Sequence, residues 1–379
     1  MSVQTLPVVQ AVAPTSTAAT GTPPSPAATL TGQTLPSGWK LVQQLSKSPG
    51  GSGSNFCVGY IAEHDGRKAF VKAIDFVKAL NAVDPIAELA QLTSLATFER
   101  EAMELCKKQN LSRLIRLFSF EYVNLDPTKN PLNQVYCLIM EIGAGDLRKQ
   151  LSHVGVFSCS TVFGILADVA LGMSQLHRHG VAHQDVKPSN VISMTDLSVP
   201  KDVLFKVGDL GRVVRKDRTG PYDGMAWPGD GHYAPPERWY GLVPTQWTDA
   251  RESSEAYMLG SLVFFLLTGT PLQPLLLNRL TPFMMPGTWS GGYTEPLILV
   301  LRSLQLSIIS DVLVPEVPLS LKDPLVAIMK DLIDPDPFKR GDRRARTQAG
   351  KPVGMDRFVP RFRQLANQAA VIERIKITP

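Results

Sequence analysis

Residues 180–190 read GVAHQDVKPSN, and this stretch limits the fold around it more than any other. Pro188 has no backbone donor and its ring clashes with a preceding helical turn, so the segment is not a helix interior. Yet Asp185, Lys187 and Asn190 fall within six positions, set between apolar neighbours. An ordinary surface loop tolerates the proline but does not account for that selection of residues. The stretch reads as a stiff loop between ordered elements, and its context decides what the three polar groups do.

The chain has 379 residues, 44% of them hydrophobic, enough for a substantial core. That length suits two or three folding units, or the lobes of one enzyme. A formal charge of +5 is mild and does not suit a dedicated nucleic-acid binder, whose basic residues are denser and clustered. Cys57, Cys106, Cys137 and Cys159 lie far apart without a C-x-x-C pair. They read as reduced, mostly buried thiols, which fits a cytoplasmic protein.

Residues 1–36 are rich in Pro, Thr, Ala and Ser and carry no charged side chain, so a disordered leader is expected there. No Lys or Arg precedes Lys40, so the positive region of a signal peptide is missing. The most apolar run, MLGSLVFFLLTG at 258–269, is shorter than the roughly 20 residues that cross a bilayer. It reads as a buried core helix, and no membrane span is expected.

From Trp39 the pattern changes to strands: WKLVQQL, then FCVGYIAE, an Asp-Gly turn, and AFVKAI. LATFEREAMELCKKQ then places Leu95, Phe98, Ala102, Leu105 and Cys106 on one helical face. LIRLFSFEYV and VYCLIMEI read as two more strands. After GAGD, residues 147–153 and 158–179 read as helices, and helical patterns dominate beyond about 245. The expected fold class is α+β: a small antiparallel-sheet lobe with one main helix, then a larger helical lobe. Gly143–Gly145 is a natural hinge, and a cleft between lobes is a preferred small-molecule site.

In this setting HQDVKPSN resembles the catalytic loop of protein kinases, H-R-D-x-x-x-x-N, in its K-P form. The resemblance covers roughly residues 38–345 and its motifs follow the family's order. It implies a bilobal kinase domain over 37–345, with lobes at about 37–142 and 143–345, followed by a basic extension at 346–379. It implies Mg-ATP as phosphate donor, with Mn²⁺ an alternative metal, and a protein substrate. Asp185 then matches the catalytic base, Lys187 the residue that neutralises charge on the moving phosphoryl group, and Asn190 a metal ligand. Asp209 in VGDLGR resembles the second metal ligand, the aspartate of D-F-G. Lys72 in AFVKAI matches the lysine on the α- and β-phosphates. Glu101, four residues before Leu105, is its expected partner, since Glu99 would sit about 160° away around the helix. IMEIGAGD resembles the segment joining the lobes: Met140 would line the adenine pocket, and backbone groups of Glu141 and Gly143 would bond the base. Asp146 is placed to reach a ribose hydroxyl or to cap the next helix.

Other matches are structural. Glu237 in YAPPERWYG and Arg340 in DPDPFKRGD are the expected buried ion pair, and Glu255 stands where the family's central helix has aspartate. His183 is expected to be a structural hydrogen-bonding residue rather than a metal ligand.

The chain also departs from the pattern. Against G-x-G-x-x-G-x-V it offers GGSGSNFCVGY: Gly51 and Gly53 match the first two glycines, and either Phe56 or Cys57 stands at the third. Gln184 replaces the arginine that pairs with a phosphorylated activation segment, and a neutral amide makes no such pair. Activity is therefore expected not to depend on phosphorylation at Thr219 or Tyr222. Asp230 occupies the usual threonine position near the substrate, while Lys187 fits the serine/threonine type. The basic stretch from Arg343 to Pro379 reads as a solvated helix packed on the large lobe, with docking of an acidic partner or nucleic acid as the alternative. A kinase-like scaffold and a small-molecule phosphotransferase are the competing functions.

Overall fold

The Asp-Gly turn sets the first hairpin. Asp65 (φ 47°) and Gly66 (φ 73°) both take the left-handed conformation that suits the twist of the flanking strands. A computed structural model describes residues 25–46, 57–125, 134–195 and 203–377. Five strands, β1 (Lys40–Gln44), β2 (Cys57–His64), β3 (Arg67–Ile74), β4 (Leu117–Asn124) and β5 (Gln134–Glu141), form one sheet. Its order is β1-β2-β3-β5-β4, antiparallel throughout. The short α1 (Val77–Leu80) and the long α2 (Pro85–Lys108) follow β3. Asp84 caps α2, accepting from the Ala87 amide, and Pro85 sits in the first turn where no donor is needed. α2 thus begins well before Leu95, where apolar periodicity first reveals it.

Alternation gives the sheet two faces. Val58, Tyr60, Ala62, Val71, Ala73, Cys137 and Ile139 pack on one side with Ala27, Leu30, Leu35 and Trp39. The expected disordered leader is thereby corrected over residues 25–36, where the Tyr60 hydroxyl donates to the Ala27 carbonyl at 2.7 Å. Those residues show no period because they run across the sheet as an irregular cover, and the partner surface is supplied by distant strands. Residues 1–24 lie outside the described part.

Beyond the hinge come β6 (Gly145–Asp146), α3 (Leu147–Val154), α4 (Cys159–His177), β7 (Val181–Ala182), β8 (Val191–Ser193), β9 (Phe205–Val207) and β10 (Val214–Arg215). Then follow α5 (Pro236–Trp239), α6 (Ser253–Thr268), α7 (Leu272–Leu277), α8 (Glu295–Ile308), α9 (Leu319–Leu332), α10 (Arg343–Arg346) and α11 (Met355–Ile377). The run at 258–269 lies within and just past α6, which is buried on nearly every side. By length and composition alone Cys159–His177 and Glu295–Glu316 are apolar enough to cross a membrane, but α4 is a buried helix of the large lobe.

α11 lies along α4, with Phe358, Phe362, Leu365 and Ala369 in the main core. Glu373 accepts from the Ser160 amide (3.0 Å) and hydroxyl (2.5 Å) at the start of α4. The C-terminal segment is a helix packed on the large lobe and contributes to its core. The Arg340 guanidinium meets both oxygens of Glu237 at 2.8 and 2.7 Å, and both side chains are fully buried.

Candidate active site

The loop that carries Asp185 leaves β7 and turns at Gln184, whose φ is 61°. Its amide nitrogen donates to Glu255 at 2.7 Å, and its side-chain amide donates to the Arg251 carbonyl at 3.2 Å. Before it, His183 donates from Nε2 to the Gly208 carbonyl at 2.8 Å and accepts at Nδ1 from the Asp185 amide at 3.3 Å. His183 thus joins the loop to the strand-end that carries Asp209, a hydrogen-bonding role rather than a ligating one. Pro188 begins the short 3-10 turn 188–190, which places Asn190 back against the loop.

Asp185 is fixed from three directions. The Asp230 amide donates to its Oδ1 at 2.8 Å, Asn190 Nδ2 to its Oδ2 at 3.0 Å, and Lys187 Nζ lies 3.1 Å from Oδ2. Burial raises the Asp185 pKa, against Lys187 and His183, which lower it. Gly229 makes the Asp230 contact possible. A Cβ at that position would lie 2.1 Å from the Gln184 carbonyl oxygen, so only glycine permits the approach. Lys187 also reaches Asp230 at 3.5 Å, so one ammonium is shared by two carboxylates.

Across the cleft Lys72 Nζ meets Glu99 at 2.8 and 2.9 Å and Asp209 at 3.4 Å. Burial alone would lower the Lys72 pKa, but the carboxylates of Glu99 and Asp209 lift it well above the usual lysine value. This corrects the expected partner. Glu101 points away from Lys72 and pairs instead with Arg218, whose guanidinium also lies 4.7 Å from the Phe98 ring centre. The buried stripe of α2 runs Leu92, Ala96, Glu99, Met103, Cys106, and Glu99 occupies a core position within it. Leu105, used as the sequence reference for the inner face, is only half-buried. The missed signal was the heptad-like spacing of that stripe.

Asp209 adopts the left-handed conformation (φ 55°). With Asn190 it offers two hard oxygen donors on the wall of a cavity of about 460 Å³ that Lys72, Glu99, Met140 and Gly143 also line. Among the described residues no group of three or more His, Cys, Asp or Glu gathers as a protein-only metal site. One carboxylate and one amide suit Mg²⁺, which keeps water and substrate phosphate among its ligands. Asn190 Nδ2 is committed to Asp185, and its Oδ1, which accepts from the Ser189 hydroxyl at 3.3 Å, is the oxygen it has for a metal.

At the hinge, Gly143 has no room for a side chain, since a Cβ would meet Ile192 at 2.4 Å and the Ser193 carbonyl at 2.5 Å. The Glu141 carboxylate is taken by Lys206 at 2.8 and 2.7 Å, and its amide by Arg116. Asp146 caps α3 through the Lys149 amide at 3.1 Å, the second of its two expected roles. Gly51 and Gly53 lie outside the described residues. A larger open hollow of about 760 Å³ between α9 and α11 holds Arg343, Arg357 and Arg361, but Asp331 and Asp342 already pair with these guanidiniums. It shares no residue with the cleft.

The chain is similar in sequence to curated protein kinases over part of their length. The chain is 26% identical over 158 residues to serine/threonine-protein kinase greatwall of Canis lupus familiaris, covering 40% of this chain and 16% of that protein. It is 27% identical over 177 residues to serine/threonine-protein kinase PknB of Mycolicibacterium smegmatis, covering 46% and 25%. With the probable serine/threonine-protein kinase PknB of Corynebacterium glutamicum the identity is 28% over 176 residues, again 46% and 25%. The matched stretches thus span a quarter or less of these relatives. The family model described as protein kinase domain matches residues 50–286, more than half of the chain. Two lobes, a cleft between them and a loop holding Asp185, Lys187 and Asn190 beside Asp209 fit that match, and the chain belongs to the protein kinase family.

Proposed function

We propose that this domain is an active kinase that transfers the γ-phosphate of ATP to serine or threonine hydroxyls of protein substrates. The carrying observation is the three-sided fixing of Asp185 at the edge of the cavity where Lys72, Asn190 and Asp209 converge. Phosphoryl transfer needs an oriented hydroxyl and countercharge on a polyanion, and little covalent chemistry from the protein. Asp185 would accept the hydroxyl proton, and its hydrogen bonds set the direction from which the hydroxyl approaches. Lys187, already between two carboxylates, supplies positive charge to the transferring group. Lys72, kept charged by Glu99, would hold the donor's phosphates. Mg²⁺, when bound through Asn190 and Asp209, would screen the phosphate charge. Lys187 and the names of the relatives support serine/threonine over tyrosine.

Activity without activation-segment phosphorylation is supported by the surroundings of Gln184. Arg251 reaches the segment instead, 3.6 Å from the Asp223 carboxylate, and Tyr222 is buried. A large rise in activity on phosphorylation of Thr219, lost in Thr219→Ala, would overturn this.

The test of the main reading is transfer of labelled γ-phosphate by wild type and Asp185→Asn, on themselves and on a generic basic protein. Wild-type transfer onto Ser or Thr, reduced about 10²–10⁴-fold in the variant, supports the reading. Undiminished transfer by Asp185→Asn removes the base from the mechanism. A kinase-like scaffold is the second reading, favoured by Phe70, whose aromatic ring stands in the roof of the cavity.

A further inference from the structure

Phe70 has a counterpart that changes its meaning. Gly59 and Ile61 on β2 and Phe70 and Lys72 on β3 all line the cavity. Gly59 stands opposite Lys72, and Phe70 stands opposite Ile61 on one side and Met140 on the other. With Cys57 at the third glycine of G-x-G-x-x-G-x-V, Gly59 falls at the valine; with Lys72 at the lysine of V-A-I-K, Phe70 falls at the alanine. The chain therefore carries no side chain where the pattern has a branched one, and a large ring where it has a methyl group.

The two departures fit each other in space. A Cβ built on Gly59 would lie 3.0 Å from Cε2 and 3.4 Å from Cζ of Phe70. The outer edge of the ring thus occupies the volume that a valine at 59 would need. Exchanges that conserve volume are the ones a packed site tolerates. This one leaves a cavity of about 460 Å³, within the range of small-molecule pockets, with Ile192 and Gly143 on its other walls. What changes is the chemistry of the roof, from aliphatic to aromatic.

We propose that Phe70 is the base-contacting roof of a purine-nucleotide site, and that Gly59 exists to let the ring lie there. The inference rests on the nucleotide reading above and deepens it. A flat purine beneath an aromatic ring gains stacking that an aliphatic roof does not give. Phe70 is then a specificity-determining residue, and the roof compensates where a side chain replaces a glycine in the phosphate loop.

The experiment is a double-mutant cycle on the whole chain, reading Mg-ADP affinity by calorimetry and unfolding temperature without ligand. Phe70→Ala should weaken Mg-ADP about tenfold, the scale of one aromatic–base stack. Gly59→Val should weaken it at least as much, by driving the ring from its place. The double variant Gly59→Val/Phe70→Ala should return to within about threefold of wild type, because volume is restored in the opposite arrangement. Additive losses, or a Gly59→Val protein that binds like wild type, would overturn the pairing while leaving the nucleotide reading intact. Binding by Phe70→Ala but not by wild type would show that the ring plugs the site, and the roof role fails. If no variant binds Mg-ADP, the nucleotide reading itself fails. The unfolding temperatures, lowered in Gly59→Val and recovered in the double variant, then decide alone whether ring and glycine are coupled.

Discussion

The two walls of the cleft are held in different ways. The lower wall hangs from fully buried groups: Glu255 carries the Gln184 amide and His177, and Arg340 locks Glu237 below the activation segment. In the upper wall, Glu99 is buried and Lys72 half-buried, but α2, which carries Glu99, is tied to the activation segment through the half-exposed pair Arg218–Glu101. Buried, fully bonded groups resist displacement because separation leaves a charge without water or partner. Exposed pairs contribute little and exchange readily with solvent. Asp185 and its loop are therefore fixed, and adjustment of the cleft is left to the wall that carries Lys72 and Glu99.

The strongest way to break this contrast is Glu237→Ala. It strands Arg340, which is fully buried beside Tyr257, and should destabilise the protein by about 3–5 kcal/mol in urea unfolding. A loss below about 1 kcal/mol would mean that the lower wall does not depend on its buried pair.

His177 and Glu255 sharpen the contrast through pH. Burial lowers the His177 pKa, but the Glu255 carboxylate 2.6 Å away more than offsets this, and the net shift is upward. Burial raises Glu255, yet His177 and the Gln184 amide bring it below the usual value. A raised histidine stabilises the fold below its unfolded pKa, and that contribution is lost as pH rises through the folded value. A lowered carboxylate contributes above its unfolded pKa and loses that as pH falls through the folded value. The pair therefore stabilises most strongly between the ordinary carboxylate and histidine values. His177→Gln should cost about 1.5–3 kcal/mol near pH 6, with the gap to wild type narrowing as pH climbs past the raised His177 pKa. A gap constant from pH 6 to strongly alkaline conditions would show that the pair is not ionised.

What the sequence disclosed follows the same division. The catalytic loop was legible because Pro188, Asp185, Lys187 and Asn190 are local in sequence, and their contacts to one another are local too. Arg340 and Glu237 are 103 positions apart and were found only through flanking motifs. Glu99 was missed because its role depends on which stripe of α2 meets the sheet, a tertiary fact that a half-buried Leu105 obscured. Leu30 and Leu35 were missed since an irregular segment covering a sheet has no period of its own. Phe70 and Gly59 lie unremarked within the expected strands AFVKAI and FCVGYIAE, and only their proximity gives them meaning.

The smallest expected effect on stability is the most informative about the upper wall. Arg218 touches Glu101 and lies over Phe98, both on α2 within three residues of Glu99. Such exposed contacts contribute about 1 kcal/mol or less, so Arg218→Ala should scarcely change the unfolding midpoint. Amide hydrogen exchange in α2 should nevertheless rise about fivefold, while exchange in α6 stays as it was, because α2 loses its polar tie to the activation segment and keeps the packing of Phe98 against Gly220. Arg218→Lys keeps the charge but not the flat face over Phe98, and should fall between the two. Raising salt to about 1 M, where the Debye length is about 3 Å, should loosen α2 in Arg218→Lys more than in wild type, which retains the stacking contact. Should exchange in α2 prove equal in all three proteins, its own core residues Leu92, Ala96 and Met103 hold it without help. The upper wall would then be as fixed as the lower, and Glu99 would stay on Lys72 whatever the activation segment does.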